Sequence, residues 1–173
     1  METNINGRTW VFGDNVDTDH IIPSRYSAEI TDYMEMSTYC FAELRPEFGK
    51  QRHDGEILVA GKNFGCGSSR QTAPLVIKNR GIACIVAESF ARIFLRNSVN
   101  MGFHVIELPD ALKRVSEGDI LKIFLKDGKL VNETTKQTYE IQKLPEFMEN
   151  IYAAGGLDGY IVDRLERERR QKA

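Results

Sequence analysis

The chain has 173 residues, 42% hydrophobic and 28% charged, a profile typical of a globular protein with a single core. Its formal net charge of −2 provides no global attraction to nucleic acid or to an anionic membrane. No apolar run reaches the roughly 20 residues that a membrane helix needs. Residues 1–8 are polar and lack the apolar stretch of a signal peptide. We therefore expect a cytoplasmic protein with neither nucleic acid nor membrane as partner.

The first two thirds of the chain predict an α/β fold with a parallel central sheet. Short apolar runs typical of strands lie at residues 10–12, 57–60, 83–87 and 104–108. Helices are predicted over 73–79 and over 89–100, the second with Ser89 as a possible N-cap. Strands that alternate with helices in this way pair in parallel through crossover connections.

The remaining third predicts a small antiparallel section followed by helices. The expected strands are 119–125, 129–131 and 137–141, and the expected helices are 145–154 and 158–170. Asp127-Gly128 is typical of a hairpin turn. We predict one domain over residues 1–162 and a charged C-terminal tail over 163–173, in which the charge run is a solvated face.

Three cysteines, Cys40, Cys66 and Cys84, are spread along the chain. An odd number in a chain of this length does not form a disulfide framework. None belongs to a CxxC pair, so we predict no iron–sulfur or zinc site, and no metal, on this chain alone. Most of these residues are expected to be reduced thiols packed in the core.

The stretch with the most chemical content, residues 61–74, reads GKNFGCGSSRQTAP and joins a predicted strand to a predicted helix. Its glycines permit tight or left-handed backbone geometry. Ser68, Ser69 and Arg70 then lie near a helix start, where N–H groups converge and an anion can bind.

A capping box with Ser68 as N-cap and Gln71 three residues later is the alternative interpretation of this stretch. Pro74 argues against it, because proline lacks the N–H that its position in such a helix would require. We therefore expect the helix to begin near Gln71 or Thr72, with both serine hydroxyls available. The spacing alone leaves both a small-anion site and ordinary turn chemistry open.

Four ordered motifs resemble those of the swivelling domain of the aconitase superfamily. They are FGDNVDTDHIIP at 12–23, GKNFGCGSSR at 61–70, IVAESFARIF at 85–94 and RNSVNMG at 96–102. The resemblance spans residues 7–162 and implies a three-layer β/β/α domain. Because the chain has room only for this domain, it resembles the separate small subunits of isopropylmalate dehydratase, homoaconitase and dimethylmalate dehydratase.

The resemblance also implies roles for particular residues. Ser68 matches the catalytic base, and Ser69 and Arg70 match groups that bind a substrate carboxylate. Asp19 matches an aspartate that orients a catalytic histidine, although a loop aspartate making a turn or cap is the structural alternative. The implied reaction is dehydration and rehydration of a hydroxy-dicarboxylate, with a [4Fe-4S] cluster on a large subunit and no cofactor on this chain.

Substrate choice is implied by the segment after Arg25-Tyr26, which in the family points at the substituent that differs among substrates. Here it contributes Ala28, Glu29 and Ile30, with no arginine for a third carboxylate. Small and apolar residues favour the alkyl group of isopropylmalate, and thus leucine biosynthesis. Dimethylmalate and homoaconitase-type substrates are the alternatives.

The other polar candidates carry weaker signals. His20 and His104 are interpreted as structural residues. Arg92 and Arg96 lie four apart on one predicted helix face, and they favour either a site or subunit interface or a plain solvated face. Two other classes of protein compete with the enzyme subunit: a stand-alone anion-binding module, and a phosphotransfer swivel domain, which would need a histidine in the loop.

Overall fold

The computed structural model describes residues 4–172, so residues 1–3 of the predicted domain and residue 173 of the predicted tail lie outside it. The strands are β1 Asn4–Val11, β2 Ile57–Ala60, β3 Cys84–Ala87, β4 His104–Glu107, β5 Ile120–Phe124, β6 Lys129–Asn132 and β7 Gln137–Glu140. They form one mixed sheet in the order β4-β3-β2-β1-β5-β6-β7.

Two of the longer helices connect the parallel strands, and short helices fill the segment between β1 and β2. The helices are α1 Thr18–Ile21, α2 Ser24–Glu29, α3 Tyr33–Ser37, α4 Pro46–Gly49, α5 Thr72–Asn79, α6 Arg92–Asn100, α7 Ala111–Arg114, α8 Glu146–Ala153 and α9 Leu157–Lys172. The structure contains no helix, within the residues it describes, that is long and apolar enough to span a membrane.

Strand β1 joins the two halves of the sheet. Its first part, Asn4 to Arg8, pairs antiparallel with β5, whereas Thr9 to Val11 pairs parallel with β2. The predicted parallel set β2-β3-β4 is confirmed, and so is the antiparallel set β5-β6-β7. Gly128 has φ +69° in the turn between β5 and β6, as a hairpin of this type requires.

Both faces of the parallel strands are buried. In β2, Leu58 and Ala60 belong to the core cluster that includes residues of α5 and α6. The alternate residues Ile57 and Val59 belong to a second cluster that includes apolar residues of β5 and β6. Burial on both faces explains the continuous apolar run ILVA, which the sequence analysis interpreted as a buried strand.

The antiparallel half folds back over the parallel half. Ile106 of β4 and Leu125, just after β5, line the same cavity. Three strands separate β4 from β5 in the sheet, which would hold these residues about 19 Å apart if the sheet were flat. The sheet therefore curls, and the layers are antiparallel strands, parallel strands and helices. The predicted three-layer β/β/α architecture is confirmed.

One predicted helix boundary is wrong, and the predicted end of the domain lies within a helix. Helix α6 begins at Arg92, so Ser89 is not its N-cap. Instead the Ser89 hydroxyl accepts the Asn63 N–H at 2.9 Å, which ties it to a neighbouring loop. The predicted boundary between domain and tail falls inside α9, a continuous helix whose residues 163–170 are all exposed.

Candidate functional site

The stretch 61–71 leaves the carboxyl end of β2 and is fixed to the loop that leaves the neighbouring end of β1. Gly65 N donates to Val16 O at 2.8 Å, and Thr18 N donates to Cys66 O at 2.8 Å. Further along, the Ser68 N–H donates to the Thr18 hydroxyl at 3.1 Å. Loops that follow parallel strands meet at one edge of a sheet, and α/β proteins place their ligand sites there.

The loop after β3 holds the same stretch from its other side. Phe64 N donates to Ser89 O at 3.0 Å, and Ala91 N donates to Phe64 O at 2.9 Å. The rings of Phe64 and Phe94 pack edge to face, with centroids 5.3 Å apart. Backbone bonds and aromatic packing together make the stretch a fixed part of the fold.

Gly65 and Gly67 are required by this geometry. Gly65 has φ +76°, and a Cβ there would lie 2.2 Å from Phe94 Cγ. Gly67 has φ +94°, in the left-handed region that favours glycine. The glycines permit the close contact with α6 and the reversal that presents the serines.

Ser68 and Ser69 lie exposed at the tip of the stretch. Neither hydroxyl has a hydrogen-bond partner among residues 4–172, although the Ser68 backbone N–H is bound by Thr18. Helix α5 begins at Thr72 with Gln71 as N-cap and without a side-chain cap, so no capping box forms. Pro74 is therefore the third helical residue, where a missing N–H costs nothing. The prediction about the helix start and the available hydroxyls is confirmed.

Arg70 and Asp19 form an ion pair behind the serines. Arg70 Nη1 lies 2.8 Å from Asp19 Oδ1, and Nη2 lies 3.3 Å from Oδ2. Arg70 Nη1 also donates to Ile22 O at 3.2 Å, and Asp19 accepts the Ser24 N–H at 3.1 Å. The hydrogen bond from Arg70 lowers the pKa of the Asp19 carboxyl. Asp19 thus contacts an arginine within the described residues.

Asp17 and Thr18, beside Asp19, hold the two loops together and were not singled out from the sequence. Asp17 caps α1 by accepting the His20 N–H at 2.8 Å, and its own N–H donates to His20 Nδ1 at 3.3 Å. Thr18 is buried, and its hydroxyl accepts the Ser68 N–H. His20 therefore has a structural part in a capping box. The contact between Thr18 and Ser68 spans fifty positions, so no local pattern predicts it. Only the motif at 12–23 could have drawn attention to Asp17 and Thr18.

The three residues expected to read the substituent lie at the end of α2, which starts beside this ion pair. Ala28 and Glu29 are exposed, whereas Ile30 is partly buried and packs against the main core. Tyr26 stacks on Tyr39 with ring centroids 4.2 Å apart, which fixes the helix. The segment is mostly helical rather than a loop, and Ala28 and Glu29 are its accessible members.

The cysteines do not fit an iron–sulfur cluster on this chain. Cys40 and Cys84 are buried in different core clusters, on opposite sides of the parallel sheet. Burial raises the pKa of both thiols, which opposes the thiolate form that binds metal. Cys66 lies apart from them in the site stretch. The part of the chain that the structure describes holds no group of residues suited to a metal ion.

Two further candidates lie outside the immediate site. His104 stacks on Tyr152 with centroids 4.1 Å apart, and burial lowers its pKa to about 4. It is a packed, neutral histidine on an edge strand, as expected. Arg92 and Arg96 are both exposed on α6, next to the site stretch.

Comparison with known proteins agrees with this geometry. The family model of the aconitase C-terminal domain matches residues 45–111. The isopropylmalate/citramalate isomerase small subunit of Methanocaldococcus jannaschii is 47% identical over 165 residues, covering 95% of this chain and 98% of that protein. The 3-isopropylmalate dehydratase small subunit of Heliobacterium modesticaldum is 45% identical over 159 residues, covering 92% and 95%.

A solved structure shows the same fold. The crystal structure of 3-isopropylmalate dehydratase from M. jannaschii superposes with a TM-score of 0.90 at 38% sequence identity, covering 98% of this chain and 99% of that one. The sequence motifs, the curled three-layer sheet and these matches along nearly the full length agree. The chain belongs to the family of 3-isopropylmalate dehydratase small subunits, which carry the swivelling domain of the aconitase superfamily.

Proposed function

We propose that this chain is the small subunit of a hydro-lyase that interconverts 2-isopropylmalate and 3-isopropylmalate in leucine biosynthesis. It acts only with a large subunit, which carries the [4Fe-4S] cluster that this chain's separated cysteines do not fit. The observation that carries the proposal is the pair of exposed, unpartnered serine hydroxyls on a fixed stretch beside Arg70. Three free thiols suit a reducing compartment, and we place the complex in the cytoplasm.

Ser68 is the proposed base and acts as an alkoxide. It takes the proton from the carbon beside a substrate carboxylate, and the C–H electron pair becomes the second bond of an alkene. Hydroxide leaves from the neighbouring carbon with its own electron pair. In the rehydration, hydroxide adds to the carbon that lost the proton, and a proton is returned to the carbon that lost hydroxide, which gives the other isomer. A serine needs stabilisation of its alkoxide to serve as a base. The N–H groups of Ser69, Arg70 and Gln71 have no partner among the described residues, and they support this role.

Ser69 and Arg70 bind a substrate carboxylate in this proposal. The Arg70 fork has five N–H donors, and its contacts with Asp19 and Ile22 use three of them. The Nε–H and one Nη2–H are left for a substrate oxygen. Asp19 acts through Arg70, as a positioning residue: its ionised carboxylate holds the guanidinium in place.

The substrate is proposed to carry an alkyl substituent near Ala28 and Glu29. A carboxylate in that position would meet the Glu29 charge if the side chain faced the pocket. Ile30 contributes through the core and not through an exposed surface. Citramalate is the second candidate, because the M. jannaschii relative is named for both isopropylmalate and citramalate.

The test is reconstitution with the large subunit of the same organism, purified without oxygen. The complex and each isolated subunit are assayed with isopropylmalate, citramalate, dimethylmalate and homoaconitate. We expect turnover only from the complex, with the highest kcat/KM for isopropylmalate. Turnover or stoichiometric iron in the isolated chain would contradict the proposal, and so would a complex inactive on every hydroxy-diacid.

A further inference from the structure

The N-terminal part of α6 presents a face that nothing within the described chain covers. Arg92, Ile93 and Arg96 are exposed on this face, and Ile93 is 49% exposed, a high value for a large apolar side chain. Phe94 and Ser98 point the other way and are buried. We call the exposed surface formed by Arg92, Ile93 and Arg96 the α6 face.

The charges of the α6 face have no internal counterpart. Within residues 4–170, neither Arg92 nor Arg96 makes an ion pair. Arg45 and Arg70, by contrast, are both held by carboxylates. Two unpaired guanidinium groups therefore lie beside one exposed apolar side chain. Arginine beside an apolar anchor is typical of the energetic centre of protein interfaces.

The α6 face adjoins the stretch 61–71, which carries Ser68 and Ser69. Ala91, directly before Arg92, donates its N–H to Phe64 O at 2.9 Å. Phe94, directly after Ile93, packs so closely on Gly65 that a Cβ there would meet its ring. A body that covers Ser68 from outside must also approach the start of α6. The C-terminal end of α6 meets the turn between α8 and α9, where a Cβ on Gly156 would lie 2.6 Å from Asn100 O, so the open part of α6 is the part beside the site.

We propose that the α6 face docks an acidic surface of the large subunit, with carboxylates pairing to Arg92 and Arg96 around a small apolar pocket for Ile93. This inference rests on the proposed function, which requires a partner over Ser68, and adds where and by what chemistry the partner binds. Like charges on the partner would repel the two arginines, so charge complementarity selects an acidic surface. The contact holds the serine stretch against the partner's half of the active site.

The experiment measures assembly and catalysis separately in the full complex. Wild-type chain, the double variant Arg92→Glu/Arg96→Glu, Ile93→Ser and a control are titrated into the large subunit without oxygen. The control, Arg167→Glu/Arg169→Glu, makes the same charge change on exposed positions of α9. The dissociation constant, the kcat at saturating small subunit and the KM for isopropylmalate are recorded at two salt concentrations. Circular dichroism confirms that each variant is folded.

We expect the double reversal to raise the dissociation constant at least about 30-fold, with kcat at saturation within about twofold of wild type. Ile93→Ser is expected to raise it about fivefold and the control less than twofold. Added salt should weaken the wild-type complex more than the reversed one. An unchanged dissociation constant overturns the inference, and an unchanged constant with a raised KM assigns the arginines to substrate instead. A wild-type complex that assembles but turns over no hydroxy-diacid refutes the proposed function and leaves the docking result readable.

Discussion

The parallel and antiparallel halves of the sheet differ in how their strands are connected. In the parallel half, β1, β2 and β3 end side by side, and the loops that leave them bring Asp19, Ser68 and Ser89 into one bonded assembly. In the antiparallel half, short turns join each strand directly to the next, as at Gly128 between β5 and β6. Loops that meet at one edge of a sheet can build an exposed site, whereas the antiparallel half pairs its polar residues with each other in the interior, as where Asn132 Nδ2 donates to Asp119 Oδ2 at 2.7 Å.

The largest loss of stability is expected at a glycine of the parallel half. Gly65→Ala should lower the free energy of unfolding by about 3 kcal/mol or more, because a Cβ at φ +76° also meets the Phe94 ring. Gly118→Ala is the matched control before β5, at φ +84°, with only the flexible Arg8 side chain at 3.4 Å. We expect about 1 kcal/mol there, from the backbone alone. Urea unfolding measures both, and equal losses would contradict the packing argument.

His104, on the edge strand β4 of the parallel half, is expected to make the stability of the protein depend on pH. Its folded pKa of about 4 lies below the ordinary value near 6.5, because burial, and then Lys78, disfavour the charged ring. The unfolded chain therefore binds the proton more tightly, and stability present above pH 6.5 is lost as pH falls towards 4. The loss should be about 3 kcal/mol, and His104→Phe, which retains the stacking on Tyr152, should remove it. Urea unfolding between pH 7 and 4 tests this, and parallel curves for the two proteins would exclude it.

The ion pair between Asp19 and Arg70 is expected to affect substrate binding. Asp19→Asn should lower kcat/KM about tenfold, mainly through KM, because Arg70 loses the charge that fixes its fork. Asp127→Asn is the matched control, an exposed aspartate in the antiparallel turn, and is expected to leave both constants unchanged. Steady-state kinetics of the reconstituted complex give kcat and KM for both variants. A fall in kcat with constant KM would mean that Asp19 takes part in the proton transfer directly.

The smallest effect is expected for substrate preference. Ala28→Arg should reduce the kcat/KM for isopropylmalate relative to homoaconitate about fivefold, since a guanidinium would occupy space suited to methyl groups. Glu29→Arg should act in the same direction by also removing a negative charge. Both residues are exposed at the end of α2, so folding is preserved. If neither variant changes the ratio of the two kcat/KM values, α2 does not contact the substituent that differs among the substrates.

The sequence predicted the parts of the fold that are encoded locally. The runs ILVA and CIVA are continuous because both faces of β2 and β3 are buried, so their burial could be recognised without a structure. The start of β1 was missed because Asn4, Asn6 and Gly7 are not typical strand residues; they pair with β5, more than a hundred positions away. The short helices α1 to α4 contain too few residues for a helical period to show.

The contacts among the proposed site residues could be predicted only in part. Pro74 correctly excluded a cap at Ser68, because a single missing N–H is a local constraint. Ser89 was misassigned as a cap, because its actual partner, Asn63, is brought near only by the tertiary fold. The pairing of Arg70 with Asp19 likewise joins the loops that follow two different strands, and no local sequence pattern predicts it.

The central claim is that the Ser68 hydroxyl performs the proton transfer, and its removal in the reconstituted complex tests it most directly. Ser68→Ala and Ser116→Ala each remove one exposed serine hydroxyl, the first in the site and the second in the antiparallel half. Single-turnover rates with isopropylmalate and dissociation constants for the large subunit are measured for both. We predict a rate at least about 100-fold lower for Ser68→Ala, with unchanged assembly, and a wild-type rate for Ser116→Ala. A near-normal rate for Ser68→Ala would contradict the claim and leave Ser68 as a residue of the turn.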